Sequence, residues 1–163
     1  MEGRIGILGG TFNPVHLGHL MLAQNAIEKY ELGKVMFVPC TKPPHKDSAA
    51  VVSAAHRLAM LRAAIEDDPR FEISDIELTK KGPSYTVDTV AQLKKMYPQA
   101  EFYFIIGSDS LTELHAWKDI YKLLPMCTFV TFTRPGSHVM SITAQDLELD
   151  PPWPDRLLTN AST

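Results

Sequence analysis

Two histidines three residues apart, His16 and His19, follow a glycine pair in the run Gly9-Gly10-Thr11-Phe12-Asn13-Pro14-Val15-His16-Leu17-Gly18-His19. Gly9 and Gly10 lack a Cβ, so this stretch lets backbone N–H groups approach a polyphosphate closely. If a helix starts near His16, both rings project from one face near the positive end of its dipole, which suits hydrogen-bond donation to phosphate oxygens. The alternatives are two helix-start histidines without a ligand, or a metal pair, although no third ligand lies nearby at the usual zinc spacing. Gly18 is costly inside a helix and makes sense if something packs against the backbone there. The run matches neither G-x-x-x-x-G-K-[ST] nor G-x-G-x-x-G, so Walker ATPases and dinucleotide oxidoreductases lose their main support.

The elements that would position these residues alternate in type. Arg4 to Leu8 reads as a short buried strand, broken by Gly9, Gly10 and Pro14. Leu20, Ala23, Ile27 and Tyr30 form one apolar stripe of the helix that follows, with Gln24, Glu28 and Glu31 toward water. Val35 to Val38 is a second strand, and Ser53 is an N-cap for a helix through Leu58, Leu61 and Ile65. Phe71, Ile73, Ile76 and Leu78 suggest extended segments. A helix starting at Ser84 or Thr86 runs through Val87, Val90, Leu93 and Met96, and strands follow at Phe102 to Ile106 and Phe129 to Phe132. Strands alternating with helices at crossover lengths predict an α/β fold, a Rossmann-like doubly wound parallel sheet with helices on both faces. In such a sheet the ligand crevice lies beyond the carboxyl ends of the strands, so the residues after Leu8, Val38, Ile106 and Phe132 are expected to converge.

The 163 residues, 45% hydrophobic and 21% charged, suit one globular domain with its own core. A formal charge of -3 gives no broad basic face for nucleic acid, so anionic ligands must be met locally. Cys40 and Cys127 are far apart and form neither a disulfide framework nor a zinc knuckle. With no signal-peptide pattern and no apolar run of membrane-spanning length, a cytoplasmic protein without membrane contacts is expected. Its oligomeric state is open between monomer and homodimer.

Three further segments complete the pattern: Lys42-Pro43-Pro44-His45-Lys46, then Gly82-Pro83-Ser84-Tyr85-Thr86-Val87-Asp88-Thr89, then Gly107-Ser108-Asp109-Ser110-Leu111 with Leu114-His115-Ala116-Trp117. With its G-G-T-F-N-P-x-H-x-G-H opening the chain resembles the nucleotidylyltransferase superfamily, and the four motifs in this order resemble the bacterial nicotinate-nucleotide adenylyltransferases over about residues 4–134. Asn13 stands where the superfamily usually has Asp, removing one charge while leaving a side chain able to cap the turn.

The resemblance implies transfer of AMP from ATP to nicotinate mononucleotide, giving nicotinate adenine dinucleotide and pyrophosphate. It places ATP against Gly9, Gly10, Thr11, Phe12, His16, Gly18, His19, Gly107 and Asp109, the last accepting from a ribose. His16, His19, Lys42, Lys46 and Arg134 would carry the phosphate chemistry. The pyridine nucleotide would meet Lys46, Ser84, Tyr85, Thr86, Trp117 and Lys118, with the indole stacking on the ring and backbone N–H groups near Thr86 and Lys118 holding the carboxylate. The acceptor, a phosphate monoester with a second pKa of about 6, is largely a dianion at neutral pH and needs no general base. Catalysis then reduces to in-line orientation and stabilisation of charge on phosphorus and pyrophosphate. Magnesium would travel with ATP, since the chain shows no dedicated carboxylate cage.

The family's closing I-S-S-T-x-I-R segment has no counterpart, and Ser141-Ile142-Thr143-Ala144-Gln145 does not match it. The expectation is therefore one nucleotidylyltransferase domain over residues 1–163 lacking its C-terminal helices, with Leu157 to Thr163 offering no terminating element. Two alternatives stay open: a pantetheine-phosphate adenylyltransferase, which shares the first motif but not the G-P-S-Y-T and Trp-bearing segments, and a non-catalytic nucleotide-binding module.

Overall fold

Ile5, Ile7 and Leu8 are apolar on both faces of their strand, as are Val35 to Val38, and such runs belong in a parallel sheet covered on both sides. In the computed structural model, which describes residues 3–10, 12, 15–40, 53–79, 84–107, 117–132 and 157–160, all of these side chains are buried. The chain divides into two compact units, Met1–Ser84 and Tyr85–Thr163.

The first unit is built from two right-sized crossovers. Strand β1 (Arg4–Gly10) leads into helix α1 (Leu17–Tyr30), which returns the chain to β2 (Lys34–Pro39). Helix α2 (Ala54–Ile65) then precedes β3 (Phe71–Ile73). β1 and β2 pair in parallel from Ile5↔Lys34 to Gly10↔Pro39, and β2 pairs in parallel with β3 from Val35↔Phe71 to Phe37↔Ile73. Their carboxyl ends, Gly10 and Pro39, therefore lie side by side.

α1 buries Ala23 and Ala26, small residues that let the helix approach closely, together with Ile27, while Leu20 and Tyr30 of the expected stripe are half-buried. Glu31 ends the helix in the left-handed region (φ 53°), its N–H donating to the Ile27 carbonyl. Ser53 caps α2 as expected, its Oγ accepting from the His56 N–H at 3.4 Å. The buried stripe of α2 is Arg57, Leu61 and Ile65; Leu58 is only half-buried. At the start of β3, Arg70 grips Asp68 through Nε and Nη2 (3.0 and 2.8 Å) and donates to Gln24 of α1 at 2.8 Å. Those hydrogen bonds hold the Asp68 carboxyl below the usual carboxylate range.

In the second unit α3 (Thr86–Met96) starts at Thr86, with Tyr85 as its N-cap, and buries Val87, Thr89, Val90 and Leu93. Strand β4 (Glu101–Gly107) follows, then the single-turn α4 (Ile120–Leu123) with a 3-10 turn at Leu124–Met126, then β5 (Thr128–Phe132). β4 and β5 are parallel from Tyr103↔Thr128 to Gly107↔Phe132.

Two segments depart from expectation. Ile76 to Leu78 is a turn rather than an extended segment, closed by Leu78 and Thr79 N–H groups on the Asp75 carbonyl at 2.8 and 3.1 Å. Leu157–Asn160, read as part of a polar run without a terminating element, is a strand β6 parallel to β5, with Phe129↔Leu157 through Phe132↔Asn160 in register.

Candidate functional site

The first unit gathers the glycine pair and both histidines at the carboxyl end of β1, where α1 begins. His16 is the N-cap of α1 with extended backbone (φ -137°, ψ 174°). Its Nδ1 accepts the Gly18 N–H at 3.1 Å, while the His16 N–H donates to His19 Nδ1, also at 3.1 Å. The two rings cap the same helix turn reciprocally, as Ser and Glu do in a capping box. Because both Nδ1 atoms accept from backbone N–H groups, the ring proton of each neutral imidazole sits on Nε2. The turn thus presents two Nε2–H donors side by side, with ring centroids 3.8 Å apart and planes tilted by 31°.

The protonation state follows from the same geometry. Burial, reinforced by the nearby His16, lowers the His19 pKa from 6.5 to about 4. At neutral pH His19 is therefore an uncharged donor.

Gly18 has its reason here too. A Cβ at that position would lie 2.9 Å from Cε1 and 3.0 Å from Nδ1 of His16. What packs against the Gly18 backbone is the imidazole that caps it.

Phe12 anchors the loop beneath. Its backbone is left-handed (φ 50°), a conformation that L-residues with bulky side chains avoid. The ring compensates by burial: it is 2% exposed, edge-on to His19 at 5.0 Å and tilted against Phe37 at 5.7 Å. Whatever Phe12 offers a ligand comes from its backbone. Gly9 is exposed and Gly10 half-exposed, and the Gly10 carbonyl accepts the Cys40 N–H at 3.0 Å. Thr11, Lys42 and Lys46 lie outside the described residues. Ser84, the last residue of this unit, has a buried Oγ with no hydrogen-bond partner among the described residues.

In the second unit the Lys118 ammonium sits 4.2 Å over the Tyr85 ring, bringing two of the residues expected at the pyridine together as a cation–π pair. Thr86 opens α3, whose N-cap Tyr85 makes no side-chain cap bond. Trp117 is half-buried and packs edge-on against Phe104 at 5.7 Å and Phe129 at 6.0 Å. Its indole is thereby held by strands β4 and β5. Gly107 ends β4 opposite Phe132, while Asp109 and Arg134 lie outside the described residues.

Among the described residues no group of three His, Cys, Asp or Glu could hold a metal ion. No helix among them is long and apolar enough to cross a membrane.

The residue that motif reading passed over is Arg57. It is 2% exposed on the inner stripe of α2 and donates through Nη1 to the Cys40 carbonyl at 2.7 Å. The only signal was a charge at helical spacing from Leu61 and Ile65.

Known proteins resemble this chain in sequence and in fold. Residues 7–156 match the family model described as cytidylyltransferase-like. A protein of Shouchella clausii, named probable nicotinate-nucleotide adenylyltransferase, is 49% identical over 138 residues, covering 85% of this chain and 72% of its own. One of Halalkalibacterium halodurans with the same name is 46% identical over 156 residues (95% and 70%), and one of Desulfitobacterium hafniense 45% over 133 (82% and 64%). The chain thus spans 64% to 72% of the length of these three curated relatives. The fold matches that of Plasmodium falciparum nicotinic acid mononucleotide adenylyltransferase complexed with NaAD, at a TM-score of 0.77 and 22% identity over 99% of this chain and 77% of that one. The α/β nucleotidylyltransferase fold and the sequence identity agree, and this chain belongs to the nicotinate-nucleotide adenylyltransferase family.

Proposed function

We infer that this chain transfers AMP from ATP to nicotinate mononucleotide, releasing pyrophosphate and nicotinate adenine dinucleotide on the route to NAD. The observation that carries this reading is the reciprocal cap of His16 and His19, which leaves two Nε2–H donors at the start of α1. Donors of that kind stabilise charge developing on phosphate oxygens and cannot act as nucleophiles toward phosphorus while Nδ1 is engaged. The acceptor phosphate, with a second pKa of about 6, supplies its own nucleophilic oxygen at neutral pH.

His19 is assigned to the α-phosphate and His16 to the adjoining phosphates, with Lys42, Lys46 and Arg134 as supporting cations. Gly9, Gly10, Thr11, Phe12 and Gly18 supply close backbone approach to ATP. Gly107 and Asp109 take the ribose side of the nucleotide. On the pyridine side, the start of α3 at Thr86, where the N-cap Tyr85 makes no side-chain cap bond, offers backbone N–H groups to a carboxylate, which favours the acid over the amide. Ser84, whose buried Oγ has no hydrogen-bond partner among the described residues, immediately precedes that helix start, and Tyr85, Lys118 and Trp117 give the ligand cationic and aromatic surface.

Magnesium, in this reading, arrives with the triphosphate and is held by phosphate oxygens and water, since the described residues form no group of three His, Cys, Asp or Glu for it. It supplies charge neutralisation on the departing pyrophosphate. We read residues 1–163 as one nucleotidylyltransferase domain acting in the cytoplasm, as a monomer or a homodimer.

Pyrophosphate release from MgATP, measured with nicotinate mononucleotide, its amide counterpart and phosphopantetheine in parallel, tests the assignment. Release with the first substrate at the highest kcat/KM supports it. Preference for phosphopantetheine, or ATP binding without any release, would overturn it.

A further inference from the structure

Arg57 stands where the packing of α2 calls for an aliphatic residue. It lies one and two turns from Leu61 and Ile65 on the buried stripe, and it is as buried as they are. A charged group in that position opposes folding unless its donors are used. One of them is used on the Cys40 carbonyl at 2.7 Å.

That carbonyl is at a particular place. The β1/β2 register ends at Gly10↔Pro39, so Cys40 is the first residue beyond the ladder and its backbone is where the sheet no longer dictates the course of the chain. The Cys40 N–H still reaches back to the Gly10 carbonyl at 3.0 Å. Two chain exits are thus tied at one residue: the exit from β1, which continues to Phe12 beneath His19, and the exit from β2, which continues in sequence to Lys42 and Lys46. The guanidinium of α2 holds that knot from inside the unit.

We propose that Arg57 is a positioning residue for phosphate recognition, fixing through the Cys40 carbonyl the residues at which the loops after β1 and β2 begin. It touches no reacting atom. The proposal rests on the reading of these loops as the phosphate-binding end of an adenylyltransferase.

The test uses the 163-residue chain with Arg57→Met, which keeps an apolar stem and no donor, Arg57→Lys, which keeps a donor and a charge, and Arg62→Met on the exposed side of the same helix as control. Melting temperature, MgATP affinity by calorimetry, and kcat and KM for pyrophosphate release are measured for each. A cooperatively melting Arg57→Met is expected to bind MgATP about 10-fold more weakly and to turn over about 100-fold more slowly, the scale of an ångström-sized misplacement. Arg57→Lys should fall between it and wild type, and Arg62→Met should match wild type. A folded Arg57→Met with wild-type affinity and kcat overturns the proposal; if that variant does not fold, Arg57→Lys with wild-type values does so.

If the unmodified chain binds MgATP without releasing pyrophosphate, the assigned activity fails, yet the affinity ratio still decides the role of Arg57. Should MgATP not bind, amide exchange decides. The Cys40 N–H should exchange at least about 10-fold faster in Arg57→Lys while Ile27 of α1 is unchanged; equal exchange at Cys40 overturns the clamp.

Discussion

His16 and His19 each have one ring nitrogen bound to the backbone and one left to donate, and that division governs what substitutions there will do. Removing the His19 ring takes away a donor to charge that develops in the transition state, so His19→Ala should lower kcat about 100-fold, measured by pyrophosphate release. Near-normal turnover would refute the role. Gly18→Ala separates chemistry from folding. Ala is the better helix former by about 0.5–1 kcal/mol, but its Cβ would stand 2.9 Å from His16 Cε1 and drive the ring off its cap. Expected are a melting temperature near wild type and a loss of turnover of at least about 10-fold, since misplaced groups lose rate steeply. A variant with full activity would mean that the His16 ring does not need its cap.

At the scale of elements, Phe12 between β1 and α1 sets an aromatic side chain in the core from an unfavourable backbone state. Phe12 is left-handed at φ 50° and almost wholly buried between His19 and Phe37. Phe12→Ala should therefore destabilise the fold by about 3–5 kcal/mol, read as a shift of the urea midpoint at constant slope. It should also lower turnover, because the His19 ring loses the surface it rests on. Most elements were legible: the apolar runs of β1, β2, β4 and β5 and the stripes of α1 and α3 lie where periodicity puts them, to within a few residues. Ile76 to Leu78 misled because Ile76 and Leu78, alternating with Glu77 just after a strand, resemble its continuation, whereas Asp75 closes a turn there. β6 was missed because four residues behind a proline-bearing stretch have too few positions to show a period, and pairing with β5 is what makes Leu157–Asn160 a strand.

For the molecule as a whole, the lowered His19 pKa ties stability to pH. In the unfolded chain His19 titrates near 6.5, and in the fold near 4. As pH falls, the unfolded state takes up the proton first, so this contribution is fully present above about 6.5 and is lost progressively toward about 4. Urea midpoints at pH 7.5 and 4.5 should fall further for wild type than for His19→Asn, which has no titrating ring. Parallel declines would show that the half-buried imidazole is not held neutral.

The sequence by itself determined the alternation of strands and helices, the glycine turn, the order of the four motifs and hence the family, because these depend on residue type and local spacing. Only the tertiary structure decided which nitrogen of each histidine carries its proton, why Gly18 must lack a Cβ, and that Arg57 reaches the Cys40 carbonyl 17 residues away. Those are distances between groups that chain folding brings together, and no residue identity or period encodes them.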